Sequence, residues 1–207
     1  EEIVAREARS FLPVAKRLPV AIAEGRGSRV RDVEGREYVD LTAGWGVCAI
    51  GHCHPRLVEA ITAQAGRLMQ TTNLFYTLPQ LELAERLHTI VPAEITRSFF
   101  LSSGAEAMEG ALKLAHRATG RTKFVSTQKS FHGRTLGALS VTGQPAKRSD
   151  FEPLVPEVRF ASLNDAESLA AATADGQVGC VVLEPIQGEG GINPATPAFL
   201  DSAAQVA

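Results

Sequence analysis

One short stretch near the middle of the chain constrains its fold more than any other. Residues 99–101 are apolar and strand-like, the following residues form a turn rich in Ser and Gly, and residues 108–119 are helix-like. A strand, a tight turn and a helix in succession direct unpaired backbone N–H groups, and the positive end of the helix dipole, to one point. This geometry suits a phosphate. The turn from Ser103 to Glu106 also matches a capping box, which needs no ligand, and the sequence leaves both interpretations open.

Strands and helices alternate in the region that follows. The predicted strands are 99–102, 123–126 and 178–183. A helix is predicted at 105–118, between the first and second strands, and another at 134–141, after the second strand. Alternation of this kind predicts βαβ units, an α/β fold and a mainly parallel sheet. No Lys follows the Ser/Gly turn, so the turn is not the phosphate loop of nucleoside triphosphatases, and a cofactor phosphate is the better candidate.

The N-terminal part has a different pattern. Strand-like runs at 29–33 and 36–41 flank Gly35 and predict a β-hairpin. Apolar residues recur with helical spacing at 57–69 and 79–90, and a helix-like opening is broken by Pro13.

Composition excludes several classes of protein. The chain has 207 residues, 44% of them hydrophobic, and a net charge of -2, so neither nucleic acid nor a membrane surface is an expected partner. No apolar run is long enough to span a bilayer, and the first residues of the given sequence show no signal-peptide pattern. The three cysteines, Cys48, Cys53 and Cys180, are odd in number and show no CxxC spacing, which favours a reducing compartment. A cytoplasmic location is expected.

Three polar clusters follow predicted strands, where ligands bind in open α/β sheets. They are residues 103–105, 131–134 and 184–191. Together they supply an anion site, the aromatic ring of Phe131, the guanidinium of Arg134 and two carboxylates. A ring can cover a flat heterocycle and a guanidinium can grip a carboxylate with two hydrogen bonds. The set suits a flat phosphorylated cofactor and an acidic substrate.

Each element also has a structural explanation. Phe131 could pack in the core, Arg134 could pair with a surface acid, and Glu184 could cap a following helix. The glycines of 188–191 could serve turns only. The pair His52 and His54 resembles metal ligands, but no second pair stands at zinc spacing, so no metal site is expected.

These segments together resemble the class III aminotransferases, which are pyridoxal-phosphate enzymes of fold type I. The resemblance rests on ordered motifs between about residues 18 and 200. The motifs are DVEGREY (32–38), GHCHP (51–55), TNLFY (72–76), SGAEA (103–107), FHGRT (131–135) and EPIQGEGG (184–191).

The resemblance implies a role for individual residues of the cofactor site. Gly104 and Ala105, with Ser103 nearby, would bind the phosphate of pyridoxal 5'-phosphate through backbone N–H groups. Phe131 would stack on the pyridine ring, and Glu184 would lie beside the cofactor.

It implies substrate contacts as well. Arg134 would bind the α-carboxylate of an ornithine-like donor or of 2-oxoglutarate, and Trp45 would line the substrate pocket. Glu189 would act as a switch that pairs with an arginine from the C-terminal part of the enzyme when the substrate is an ω-amine.

For the full-length enzyme the resemblance implies transamination between N-acetylornithine and 2-oxoglutarate, in arginine biosynthesis, by a homodimer. Donors such as 4-aminobutyrate, ornithine or another ω-amino acid are alternatives, and so is a non-catalytic chain that binds only phosphate or a partner. The family's Schiff-base lysine is expected after Ala207, so no residue of this chain is the catalytic lysine and residues 1–207 alone are expected to be inactive. Residues 1–60 are expected to belong to a small domain, and 61–207 to an incomplete cofactor-binding large domain.

Overall fold

Three short strands form an antiparallel sheet in the N-terminal part of the chain. The computed structural model describes residues 2–206. Its sheet contains β1 (Ile22–Arg26), β2 (Arg29–Asp32) and β3 (Glu37–Val39), in the order β1-β2-β3. The predicted hairpin is confirmed, with Gly35 at a φ of 85° in its turn, where a side chain would be strained. Sequence reasoning missed β1, whose charged residues do not alternate with apolar ones in a simple strand pattern.

The carboxylate of Asp32 holds the hairpin turn together. One oxygen accepts hydrogen bonds from the backbone N–H groups of Glu34 and Arg36, both at 2.9 Å, and the other accepts the Tyr38 hydroxyl at 2.8 Å. These bonds, the Tyr38 hydroxyl first, hold the pKa of Asp32 below its usual value. A charged carboxylate therefore fixes the register of β2 and β3.

Three helices complete this part of the chain. They are α1 (Glu2–Ser10), α2 (Pro55–Ala65) and α3 (Leu78–His88). The predicted helices 57–69 and 79–90 are therefore confirmed with shifted ends. Helix α2 begins with Pro55, whose missing N–H costs nothing in a first turn.

The described residues form two compact units, which divide between Leu83 and Ala84. The assignment of residues 1–60 to a small domain and 61–207 to a large one stays a prediction. Glu1 and Ala207, the outer limits of that assignment, lie outside the described residues.

The second unit contains the predicted parallel sheet. Its strands are β4 (Lys123–Thr127), β5 (Val158–Ala161) and β6 (Val178–Val181), in the order β5-β4-β6, with β4 parallel to both neighbours. A small antiparallel pair, β7 (Ile186–Gln187) and β8 (Asn193–Pro194), follows β6. Besides the second half of α3, the unit contains the helices α4 (Gly104–Thr119), α5 (Leu136–Ser140), α6 (Pro145–Arg148), α7 (Ala166–Thr173) and α8 (Pro197–Val206), with a 3₁₀ turn at Ser149–Phe151.

Helices cover both faces of this sheet, because consecutive residues of a strand point to opposite sides. Val125 packs in a cluster with Leu169 of α7 and Phe199 of α8. Its neighbour Phe124 packs in a separate cluster with Leu112 of α4. The layered α/β arrangement expected from strand–helix alternation is thereby confirmed.

The predicted strand at 99–102 is wrong. Residues 96–101 have no regular secondary structure, and Phe99 is 76% exposed. A strand exists only where its backbone pairs with a neighbour, and no other segment within residues 2–206 pairs with this one. An apolar sequence run indicates the tendency to form a strand but does not supply the partner.

A charge cluster ties the amino ends of the three parallel strands together. Asp175, just before β6, accepts hydrogen bonds from Lys123 of β4 at 3.0 Å and from Arg159 of β5. The Arg159 and Lys123 hydrogen bonds hold the pKa of the Asp175 carboxyl far below its usual value. One carboxylate thus links elements that are distant in sequence.

We expect Asp175→Asn to lower the free energy of unfolding at neutral pH. Because the folded state depresses this pKa, the stabilisation is fully present above the unfolded pKa of about 4 and is lost progressively as the pH falls below it. Urea denaturation at a series of pH values measures the difference from wild type, which should shrink below about pH 4. Asp150→Asn is the control, since Asp150 is exposed and makes no ion pair with any described residue. A pH-independent difference would contradict the charge argument.

Candidate functional site

The amino end of α4 carries both a helix cap and free N–H groups. Ser103 is the N-cap residue, and its hydroxyl accepts the Glu106 N–H at 3.1 Å. The Glu106 carboxylate accepts the N–H of Ser102 at 2.8 Å. The N–H groups of Gly104 and Ala105 have no acceptor within residues 2–206. The capping and anion-binding interpretations are therefore compatible, because the cap uses other donors than those an anion would use.

Gly133 brings the second cluster against this helix end. Its φ of 139° lies in a region that favours glycine, and a Cβ atom there would lie 2.8 Å from the Cβ of Ala105. Real Cβ atoms do not approach so closely. The absence of a side chain at Gly133 therefore allows the loop 131–134 to touch the first turn of α4.

Buried polar groups hold the loop 131–134 against the carboxyl end of β4. The backbone N–H of His132 donates to the Thr142 hydroxyl at 3.0 Å, and its ring Nε2 lies 3.1 Å from the Ser126 hydroxyl at the carboxyl end of β4. Burial lowers the pKa of His132 to about 4, so the imidazole is neutral at pH 7. His132 is thus an uncharged structural residue that fixes the backbone on either side of it.

Glu184 connects the second cluster to the third. One carboxylate oxygen accepts the Phe131 N–H at 2.9 Å, and the other accepts the Gly188 N–H at 3.4 Å. The next regular element is the strand β7 and not a helix, so the alternative that Glu184 caps a helix is wrong. The half-buried carboxylate instead joins two loops that are more than 50 residues apart.

Gln187 holds the third cluster onto the sheet and was missed by sequence reasoning. Its side chain is fully buried and donates to the Thr127 hydroxyl at 3.1 Å and to the Gln128 carbonyl at 2.8 Å. Asn193 donates to its carbonyl oxygen at 3.4 Å. The only sequence signal was an uncharged amide among the residues that follow a buried strand.

Arg134 lies at the open side of the second cluster, directly before α5. Glu109 of α4 fixes that helix start by accepting hydrogen bonds from the Thr135 hydroxyl at 2.6 Å and from the Gly137 N–H at 2.8 Å. Arg134 itself is exposed and forms no ion pair with any residue of the described part of the chain. Its guanidinium is therefore free to bind a ligand, in contrast to the surface pairing considered above.

Glu189 has two hydrogen-bond partners that sequence reasoning did not assign to the site. Lys147 Nζ donates to one carboxylate oxygen at 2.7 Å, and Gln144 Nε2 donates to the other at 2.6 Å. The Lys147 hydrogen bond is the main reason why the pKa of Glu189 lies below its usual value, and Arg134 adds a weaker attraction. The same ammonium lies 5.4 Å from the centroid of the Phe131 ring.

All but one of the predicted cofactor and substrate residues belong to the second unit. The residues in this unit are Ser103, Gly104, Ala105, Phe131, Arg134, Glu184 and Glu189. Trp45 belongs to the first unit, where it is 91% exposed in a turn and has a φ of 60°. Its role as a substrate-pocket residue stays a prediction.

His52, one of the two histidines considered as metal ligands, has a structural partner in the first unit. His52 Nε2 lies 2.7 Å from an oxygen of Asp40. Within residues 2–206 no three His, Cys, Asp or Glu side chains converge as a metal site would require.

No helix of the described chain has the length and apolar character needed to cross a membrane.

Comparison with known proteins establishes the family of the chain. The family described as aminotransferase class-III matches residues 12–207. The chain belongs to the class III aminotransferases. It is 48% identical over 197 residues to the acetylornithine aminotransferase of Archaeoglobus fulgidus, a match that covers 95% of this chain and 52% of that protein. The chain thus spans about half the length of the curated relatives it matches.

Solved structures of aminotransferases share its fold. An ornithine aminotransferase of Toxoplasma gondii, with PLP at partial occupancy in its active site, has a TM-score of 0.89 and 30% identity, covering 99% of this chain and 50% of that one. The N-acetylornithine aminotransferase of Stenotrophomonas maltophilia has a TM-score of 0.78 and 34% identity, covering 98% and 50%. The predicted fold, part of the fold type I architecture of pyridoxal-phosphate enzymes, is confirmed.

We expect Gly133→Ala to destabilise the protein by about 1–3 kcal/mol, because the added methyl group both meets Ala105 and requires a strained φ. Urea denaturation measures the change. Gly188→Ala is the matched control, since a Cβ atom at Gly188 meets nothing within 4 Å and its φ is outside the left-handed region. Equal stability of the two variants would show that the close approach of the loop to α4 is not required.

Proposed function

We propose that the whole protein is a pyridoxal 5'-phosphate-dependent aminotransferase that transfers an amino group between N-acetylornithine and 2-oxoglutarate. The observation that supports the proposal is the close approach of the loop that carries Phe131 and Arg134 to the first turn of α4, where the N–H groups of Gly104 and Ala105 have no acceptor within residues 2–206. Relatives named acetylornithine aminotransferase, at 41% to 48% identity, support the choice of donor.

The residues present fit a phosphorylated cofactor with a flat ring. A phosphate would accept hydrogen bonds from Gly104 and Ala105 at the positive end of a 16-residue helix, with the Ser103 hydroxyl beside it. No side chain obstructs this point, because a Cβ atom at Gly104 would meet nothing within 4 Å. The half-buried Phe131 would stack on the pyridine ring, and Glu184 fixes the Phe131 backbone.

The chain would also select and orient an acidic substrate. Arg134 presents a planar guanidinium, which binds a carboxylate with two parallel hydrogen bonds. Phe131 would shield one face of the cofactor from water. Pyridoxal 5'-phosphate, when bound, supplies an electron sink for the bond that is broken at the amino carbon. The chain's own contribution is therefore to anchor the phosphate, shield the ring and orient the substrate carboxylate.

Ornithine is a second candidate donor, because an ornithine aminotransferase of Toxoplasma gondii has a TM-score of 0.90 with this chain.

We further propose that the protein is a cytoplasmic homodimer. The apolar residues Leu74, Phe75 and Tyr76 are exposed, which supports an interface at 72–76, and the three cysteines are free thiols, as in a reducing compartment.

The proposed reaction is tested with the whole protein that contains these residues, loaded with pyridoxal 5'-phosphate. We expect kcat/KM to be highest for N-acetylornithine among three donors, the others being ornithine and 4-aminobutyrate, with 2-oxoglutarate as acceptor. Highest kcat/KM with ornithine would favour the second candidate. Absence of amino transfer from all three donors would contradict the proposal and leave a chain that binds phosphate or a partner only.

Gly104→Pro tests the phosphate position directly. Proline lacks the N–H but is tolerated at the first position of a helix, and Ser103, with φ -153° and ψ 161°, has the extended backbone that precedes a proline. Because the variant loses one hydrogen bond to a charged group, its affinity for the cofactor should be weaker by about tenfold or more. Gly104→Ala retains the N–H and is the control. Equal affinities of the two variants, measured by calorimetric titration, would place the phosphate elsewhere.

A further inference from the structure

Two serines and a histidine form a buried hydrogen-bond chain near the carboxyl end of β4. Ser126 and Ser130 are fully buried, and His132 is 9% exposed. The Ser126 hydroxyl lies 3.1 Å from His132 Nε2 and 3.1 Å from the Ser130 hydroxyl. Ser130 in turn donates to the Val141 carbonyl at 3.3 Å and accepts the Gly143 N–H at 2.9 Å. The chain thus contains three contacts for which a side chain must supply the proton.

The number of protons fixes the direction of each of these bonds. A serine hydroxyl supplies one proton, and a carbonyl oxygen only accepts. Three contacts need three protons, and the hydroxyls of Ser126 and Ser130 supply two. The third must come from His132 Nε2, which then donates to Ser126, while Ser126 donates to Ser130. Without a proton on Nε2, one buried contact would join two acceptors, which is destabilising.

A serine beside a histidine can also be an activated nucleophile, in which the imidazole accepts the hydroxyl proton. The bond between Ser126 and His132 has the opposite direction, because Ser126 gives its proton to Ser130. The hydroxyl of Ser126 is also fully buried, so a substrate cannot reach it. Ser126 is therefore an acceptor for the histidine and not a nucleophile.

This chain is one of three anchors of the backbone that carries the Phe131 ring. Glu184 accepts the N–H of Phe131 at 2.9 Å, and Thr142 accepts the N–H of His132 at 3.0 Å. The third anchor is the imidazole of His132, which joins the loop to β4 through Ser126. Loss of the imidazole donor would free the loop from the strand and leave only the two backbone bonds.

We infer that His132 is a positioning residue, which carries its proton on Nε2, donates it to Ser126 and so holds the Phe131 ring where a flat cofactor would stack. The inference rests on the proposed function for the identity of that cofactor. It assigns to His132 a role through Phe131 and not a contact with cofactor or substrate.

The direction of the bond is tested without turnover. The whole protein is labelled with ¹⁵N at histidine, and His132→Gln identifies the signals of His132 in the NMR spectrum. At pH 7 we expect Nε2 to show the chemical shift of a protonated imidazole nitrogen and Nδ1 that of an unprotonated one. An unprotonated Nε2 would overturn the inference, because His132 would then accept the proton of Ser126.

The positioning role is tested by calorimetric titration of the whole protein with pyridoxamine 5'-phosphate. This amine form of the cofactor cannot condense with a lysine, so the titration measures only the non-covalent contacts of the site. His132→Leu, which removes the donor, should weaken binding by about threefold to tenfold, as expected for the loss of one hydrogen bond. His132→Gln, whose amide N–H can replace the Nε2–H, should retain the wild-type affinity.

Ser126→Ala removes the acceptor instead of the donor and serves also if His132→Leu does not fold. It should weaken binding by the same factor, and the double variant should bind no more weakly than either single variant. His116→Leu is the matched control, since His116 is exposed and its ring bonds the Arg121 carbonyl beyond the end of α4. Its affinity should equal that of wild type.

Wild-type affinity in both His132→Leu and Ser126→Ala would overturn the positioning role, even with a protonated Nε2. Additive losses in the double variant would overturn it as well, because the two residues would then act independently. A wild-type protein that does not bind pyridoxamine 5'-phosphate would contradict the proposed function and the role that rests on it, while the NMR spectrum would still decide the direction of the bond.

Discussion

The close approach of Gly133 to Ala105 is the constraint on which the rest of the site depends. A loop that carries an aromatic ring and a guanidinium reaches a helix end with free N–H groups only because residue 133 has no side chain. A methyl group at that position would force the loop away from the first turn of α4. One missing Cβ atom therefore decides whether the loop 131–134 and the first turn of α4 can meet.

Buried hydrogen bonds then make this arrangement rigid. Glu184 joins the loops of Phe131 and Gly188, while Gln187 fixes the second of these loops to the end of β4. His132, neutral because it is buried, anchors the first loop to the same strand. Glu184 and Gln187 each bond a partner more than 50 residues away, and His132 bonds a residue of β4, so the loops are ordered by contacts with the sheet and not by local turn preferences alone.

Much of the fold follows from local pattern. Strand–helix alternation predicted the parallel sheet around β4, the turn at Gly35 predicted the hairpin, and the Ser103 cap predicted the start of α4. The failures share one cause. The run at 99–102 has strand character but no neighbour to pair with, and β1 has little strand character but is paired with β2. Pairing is a property of two segments, and a single segment cannot reveal it.

The sequence by itself determined the family, the order of the elements and the identity of the residues that could hold a phosphate, a ring and a carboxylate. These are properties of residue type and spacing. Only the tertiary structure decided that Lys147 and Gln144 hold Glu189, that Glu184 bridges two loops, and that Arg134 stays unpaired within residues 2–206. The physical reason is distance along the chain: hydrogen bonds between residues more than 40 positions apart exist only after the sheet has brought their loops to one edge.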